Sequence, residues 1–293
     1  MATILVTGVA GFIGSHIAEK LLLGNNTVIG IDDLSAGYLS NIPERVIFLK
    51  DDICNIQKYD SIMKSVDVVF NNAASKKNIC LKDPARDMEV NGIGTLKLLQ
   101  SSLKNGVKKF IHASTGSVYG EVEGVITENT PRNPVSFYGI SKMAGESYVQ
   151  YFHNSLGLDT TILRYFHVYG ERQESNKDTG GVVAIFSEEI KKGNSIIIHG
   201  DGLQKRVFTH VKDIAEANYR AWHTRKSIGQ VYNCASSEQM SIIDLAGALM
   251  EKYNKKVNII YSDPLPGDIY NFNVDSSKIK EIGVVFNPIT KIL

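Results

Sequence analysis

Cysteine is scarce in this chain, with three in 293 residues, Cys54, Cys80 and Cys234, far apart and without a C-x-x-C pair. Such spacing points to neither a disulfide framework nor a zinc site, and a reducing compartment is expected. There is no run approaching the ~18 apolar residues of a membrane span, so no membrane association is expected. The opening residues, Met1 to Thr7, carry no basic leader, so no signal peptide is read and a soluble, cytoplasmic protein is expected. Nor is one charge sign in excess: Lys plus Arg number 32 against 31 Asp plus Glu, a net charge of +1. That balance argues against a dedicated nucleic-acid binder, which would concentrate basic residues on one face. No internal repeat, low-complexity tract or metal-ligating cluster is evident, and no metal is expected. No terminal helix is read over 288–293, which leaves a shortened carboxyl end open.

What the chain does have is an ordinary globular composition, 43% hydrophobic and 22% charged. Its length is about twice the ~150 residues of a typical domain, which suits one large or two intimately joined domains. Short β-rich runs at 4–7, 27–32, 46–49, 66–71, 109–113 and 160–166 alternate with helical patterns such as 15–23 and 87–104. Several runs are continuously apolar, as in strands covered on both faces. The expected fold is α/β, a doubly wound parallel (Rossmann) sheet of six strands over 1–166. A smaller, mixed α/β substrate-binding domain is expected over 167–293, with segments that could return to the sheet.

The strongest local pattern runs from Ile4 to His16, a strand, a glycine-rich turn and a helix start. Gly8 permits the bend, Gly11 lets the backbone approach a pyrophosphate, and Gly14 allows close helix–strand packing. The helix start, with Phe12 and Ile13, offers backbone N–H groups to phosphates. The glycines run G-x-x-G-x-x-G, one step from the usual dinucleotide spacing, and a purely structural βα turn would look similar. The second strand adds Asp32 and Asp33 about 20 residues on, where a carboxylate accepts ribose hydroxyls and repels a 2′-phosphate, favouring NAD over NADP. Asp52, followed by Ile53, ends the third strand within reach of an adenine amino group, or is a plain turn aspartate.

Tyr138 and Lys142 stand at i and i+4 at the head of a helical pattern, so the ammonium can lie near the phenol. A nearby cation is expected to lower the phenol pKa from ~10 towards neutrality, giving a usable general base. The lysine can also bond a nicotinamide ribose. By itself the pair also fits a surface tyrosine beside a lysine. Upstream, Phe110 to Gly120 is a strand running into hydroxyl residues, and Ser114, Thr115 and Ser117 at its carboxyl end can meet a substrate hydroxyl.

Taken together, the glycine turn, Asp32, Asn72-Ala73-Ala74, Asn91, Ser114-Thr115, Val118-Tyr119-Gly120 and Tyr138/Lys142 resemble the extended short-chain dehydrogenase/reductase superfamily. Within it the chain resembles the NAD-dependent sugar epimerase/dehydratase family, over essentially its whole length. The resemblance implies bound NAD, with Ala73 and Ala74 at the cofactor, a nucleotide-sugar substrate, and a homodimer formed through helices flanking the sheet. It implies Thr115, Tyr138 and Lys142 as the catalytic group. Arg206 resembles the arginine that contacts the substrate diphosphate, Lys76 a residue lining the sugar pocket, and Phe272 a position where bulk disfavours an N-acetyl group. His167 stands where the family usually has an Asn touching the diphosphate, Val207 where it usually has Asp, and Leu265 where it often has Arg. Dehydratases of the family resemble T-D-E after the catalytic strand, whereas this chain has Thr115-Gly116-Ser117, with no added acid. That implies C4 epimerisation of a UDP-hexose of the UDP-glucose/UDP-galactose kind. A dehydratase, decarboxylase or reductase of the same family, or a non-catalytic NAD sensor, stays open.

Overall fold

The computed structural model describes residues 1–75, 77–176, 180–264 and 269–291, with the backbone alone for 77–79. Lys76, Leu265 and the Pro266-Gly267-Asp268 motif lie outside the described residues.

The first part of the chain alternates as the hydrophobic runs predict. In order it forms β1 (Thr3–Thr7), α1 (Phe12–Leu22), β2 (Thr27–Asp32), β3 (Ile47–Lys50), α2 (Asp60–Met63), β4 (Val68–Asn71), α3 (Lys77–Lys82) and α4 (Pro84–Met88). Then come α5 (Thr95–Lys104), β5 (Lys109–Thr115), α6 (Phe137–Leu156) and β6 (Thr160–Tyr165). The remainder forms β7 (Val168–Tyr169), α7 (Val182–Lys192), β8 (Ile196–His199), β9 (Lys205–Val207), β10 (Thr209–His210) and α8 (Val211–His223). It ends with β11 (Gln230–Cys234), β12 (Gln239–Ser241), α9 (Ile242–Lys252) and β13 (Ile259–Ser262).

Seven parallel strands make one sheet in the order β11-β6-β5-β4-β1-β2-β3. Side chains alternate across it: Ile4 and Val6 join the core under α1 and α8, while Leu5 joins the opposite core with Leu98, Leu99, Val149 and Phe152. Because β1 lies between β2 and β4, the strand order reverses there, and a crevice opens at the carboxyl ends of these strands.

Two expectations are corrected. The sheet has seven strands instead of six, because β11 pairs in parallel with β6 from 65 residues further along, Asn233 facing Arg164. Pairing at that separation leaves no local trace in the sequence. The helix expected over 87–104 is three pieces, α4, a π-helical stretch at Glu89–Gly94, and α5. The interruption falls where the buried Asn91 turns inward to bond three other residues.

A separate core between α7, α9 and the β8–β13 pair gathers Phe186, Ile190, Ile196, Leu245 and Leu249. Among the described residues no helix is long and apolar enough to cross a membrane, and no group of three or more His, Cys, Asp or Glu could hold a metal.

Candidate active site

The glycine turn is closed by Gly8 N–H donating to Ile31 O at 2.8 Å and Gly11 N–H to Gly8 O at 3.1 Å. Gly8 has φ +69°, a backbone conformation that costs glycine little. A Cβ on Gly14 would lie 2.1 Å from Gly8 O, so α1 can pack this tightly on β1 only with glycine there. Gly11 is the N-cap of α1, which leaves the first-turn amides of Phe12, Ile13 and Gly14 without intrahelical acceptors. The Ile13 side chain packs on the core.

Asp32 ends β2 with little exposure, its carboxylate accepting from Ala10 N at 3.0 Å and Leu34 N at 2.8 Å. Burial raises its pKa and the backbone donors oppose the rise. A carboxylate has about four acceptor positions, so these donors leave capacity for a ribose hydroxyl. The neighbouring Asp33 is engaged by Ser35. Asp52 caps the turn after β3 through Cys54 N at 2.8 Å and pairs with Arg86 from α4, which also reaches to 3.8 Å from Asp33.

These residues border a cavity of about 670 Å³ lined by Gly8, Gly11, Phe12, Asp32, Asp33, Asp52, Ile53, Ala73, Ala74 and Tyr138. Its size suits an organic ligand rather than water alone. Its far wall was not foreseen in the sequence. Tyr38, Asn41 and Arg86 line it, as do Arg172, Gln173 and Glu174 from the segment after β7. The Tyr38 hydroxyl donates to Glu174 Oε2 at 2.5 Å, and Arg172 reaches Glu19 at 2.8 Å and Ser15 at 3.2 Å on α1. Partners up to 157 positions apart carry no sequence periodicity that could announce them.

Helix α6 starts at N-cap Ser136, whose Oγ accepts from Gly139 N at 3.1 Å, and this places Tyr138 and Lys142 in its first two turns. Tyr138 borders the cavity; Lys142 lies behind it, 2% exposed. The pKa expectation is corrected here. Burial pushes the Tyr138 phenol up rather than down, and Cys80 and Asp87 add to that rise. Burial also brings the Lys142 ammonium down to about 8, against the pull of Glu146 and Asp87. The surrounding protein, not the i,i+4 partner alone, sets both charges.

Thr115 ends β5 and caps the following turn, its Oγ1 accepting from Ser117 N at 3.2 Å and donating to Ser117 Oγ at 3.3 Å. Ser114 is buried and does not line the cavity; its hydroxyl helps lower the Glu146 pKa. Gly116 is walled in, since a Cβ there would sit 2.3 Å from the Phe166 ring.

Arg206, His167 and Phe272 meet in a second cluster; none of the three lines the cavity, but Val168, next to His167, does. Arg206 is 6% exposed, donates to Lys205 O and Tyr270 O, and lies 5.6 Å from the Phe272 ring. His167, 4.7 Å from the same ring, has φ +36°, a left-handed value at which Asn and His are enriched among non-glycine residues. Val207 is buried in the adjacent apolar cluster with Tyr119, Phe166 and Phe272.

Residues 4–235 match the model of the NAD dependent epimerase/dehydratase family. A putative UDP-glucose 4-epimerase of Methanocaldococcus jannaschii is 37% identical over 284 residues, 96% of this chain and 92% of that protein. The crystal structure of UDP-glucose 4-epimerase from Thermotoga maritima with UDP-glucose superposes with a TM-score of 0.93 at 37% identity, covering 97% of this chain and 94% of that one. The Thermus thermophilus UDP-glucose 4-epimerase complex with NAD gives 0.90 at 34% identity, covering 98% and 94%.

Proposed function

The chain belongs to the NAD dependent epimerase/dehydratase family, and from that premise we propose that it is a nucleotide-sugar 4-epimerase acting on UDP-glucose and UDP-galactose. The observation that carries the epimerase reading is the Thr115-Gly116-Ser117 turn. Phe166 leaves no room for a side chain at 116, and Ser117 follows, so the turn itself brings no acid or base to eliminate water. Chemistry at C4 is then limited to reversible oxidation, which inverts the carbon when the intermediate ketone is reduced on its other face.

The cavity fits the cofactor: glycines at closest approach, amides at the start of α1 for the pyrophosphate, and Asp32 for the ribose. Bound NAD supplies a two-electron acceptor that is restored within the turnover, and a positive ring that favours the Tyr138 phenolate. Tyr138 takes the C4 hydroxyl proton and later returns it. Lys142, as ammonium, holds the ribose and supports the phenolate, and Thr115 orients the hydroxyl. Arg206 and His167 hold the diphosphate, with Phe272 beside the sugar.

The purified protein, incubated with a panel of UDP- and dTDP-hexoses, should interconvert UDP-glucose and UDP-galactose at constant mass by proton NMR. A product of changed mass would identify a dehydratase or decarboxylase instead. Tyr138→Phe is expected to lower kcat by ~10²–10⁴ while NAD stays bound.

We also place the enzyme in the cytoplasm as a homodimer. Its three cysteines are buried thiols, and α6 leaves Ile140, Tyr148 and Tyr151 exposed, as α5 leaves Leu103. That apolar face supports self-association, which light scattering would read as twice the chain mass.

A further inference from the structure

Behind the cavity lies a buried acid that the proposed chemistry does not use. Asp87 on α4 is 1% exposed. Its Oδ1 accepts from Asn91 Nδ2 at 2.7 Å and from the Cys80 thiol at 2.8 Å. Asn91 in turn donates to Ser141 Oγ on α6 at 2.9 Å and accepts from Ser75 N, just past Ala73 and Ala74, at 3.1 Å. Asp87 is therefore fastened beneath the turn of α6 that runs from Tyr138 to Lys142.

A buried carboxylate needs a counter-charge, and so does a buried ammonium. The other groups facing the pair are accounted for among the described residues. Glu146, one turn beyond Lys142, is committed to Arg164 and Arg132. His112 of β5, beside Lys142, is kept neutral by burial. Tyr165 of β6 and Cys80 of α3 are both pushed towards their neutral forms by burial. Glu146 still favours the Lys142 ammonium more strongly than Asp87 does, but of these two acids Asp87 is the one that acts on both Tyr138 and Lys142.

We propose that Asp87 is a positioning residue for the reaction, which through Asn91 holds Ser141 and the reacting turn of α6 against the cofactor loop at Ser75 and adds a buried counter-charge that, with Glu146, favours the Lys142 ammonium. The inference rests on the reading of Tyr138 and Lys142 as the reacting pair. Because the negative charge favours the protonated form of both residues, its removal displaces both in one direction.

The test uses the holoenzyme with Asp87→Asn, which keeps the size and one acceptor oxygen for Asn91 and Cys80, and Asp87→Glu, which keeps the charge. The kcat profile of Asp87→Asn should slide to lower pH as a whole, by about half to one unit, so that turnover near pH 8.5 falls ~3–10-fold while the acid side is kept. Asp87→Glu should leave both limbs in place. An independent readout is the ¹³Cε resonance of Lys142, identified by its loss in Lys142→Met, which should titrate at lower pH in Asp87→Asn than in wild type. A uniform fall in kcat with both limbs and the Lys142 titration unmoved would reduce Asp87 to a structural group and overturn the inference. Should Asp87→Asn fail to fold, Cys80→Ala keeps the charge and removes one of its donors. The Lys142 titration must then stay or rise, and a fall overturns the inference. The functional reading fails separately, if Tyr138→Phe retains full turnover.

Discussion

Arg164 on β6 grips Glu146 on α6 through two parallel hydrogen bonds, Nε to Oε1 at 2.8 Å and Nη2 to Oε2 at 2.7 Å, with both side chains buried. The same guanidinium donates to Tyr119 Oη at 2.6 Å, and Tyr119 donates to Asn233 on β11 at 2.7 Å. One buried pair thus ties the helix bearing Tyr138 and Lys142 to the sheet and, through Tyr119, to its last strand. Arg164→Met leaves Glu146 with only the partly exposed Arg132, and unfolding in urea should register a loss of about 3–5 kcal/mol. The double change Arg164→Met with Glu146→Leu should recover much of that loss, since no uncompensated charge remains.

The same pair predicts the acid limb of stability. Burial alone would raise the Glu146 pKa, but the hydrogen bonds and charge of Arg164, with help from Ser114 and Arg132, leave it lowered. A lowered carboxylate contributes stability that is fully present above its unfolded value of ~4.3 and is lost as pH falls through the folded value. Thermal melts should therefore drop on acidification below that point, and Glu146→Gln should flatten this part of the profile.

Gly14→Ala would drive a methyl group to 2.1 Å from Gly8 O, a backbone atom that cannot swing aside. Moving α1 off β1 should lower stability by about 2 kcal/mol or more. It should also reduce the NAD that copurifies, read from the absorbance of the released cofactor.

The Tyr38 to Glu174 hydrogen bond closes the far wall of the cavity at an exposed position. Tyr38→Phe should change stability by less than about 1 kcal/mol, as an exposed polar contact does. If the bond helps retain the cofactor, NAD should leave several-fold faster in a stopped-flow exchange with a fluorescent analogue. An unchanged off-rate would show that the wall is held by Arg172 and the backbone instead.

The parts legible from sequence are those whose partners are neighbours along the chain. The run from β1 through Gly8 to α1, Asp32 at the end of β2, and Tyr138 with Lys142 one helical turn apart are set by local backbone geometry, and spacing alone places them. Sequence by itself therefore determined the parallel α/β plan and the elements around the cavity. Folding decided what depends on distant chain segments: the seventh strand at Gln230–Cys234 beside β6, Arg86 on Asp52, Tyr38 on Glu174 and Arg164 on Glu146. It also decided which way the pKa values of Tyr138 and Lys142 move. The i,i+4 rule sees only Lys142 beside Tyr138, whereas burial, with Cys80 and Asp87, pushes the phenol up, and burial brings the ammonium down against Glu146 and Asp87. Solvent exclusion is a property of the packed chain, and no local pattern encodes it.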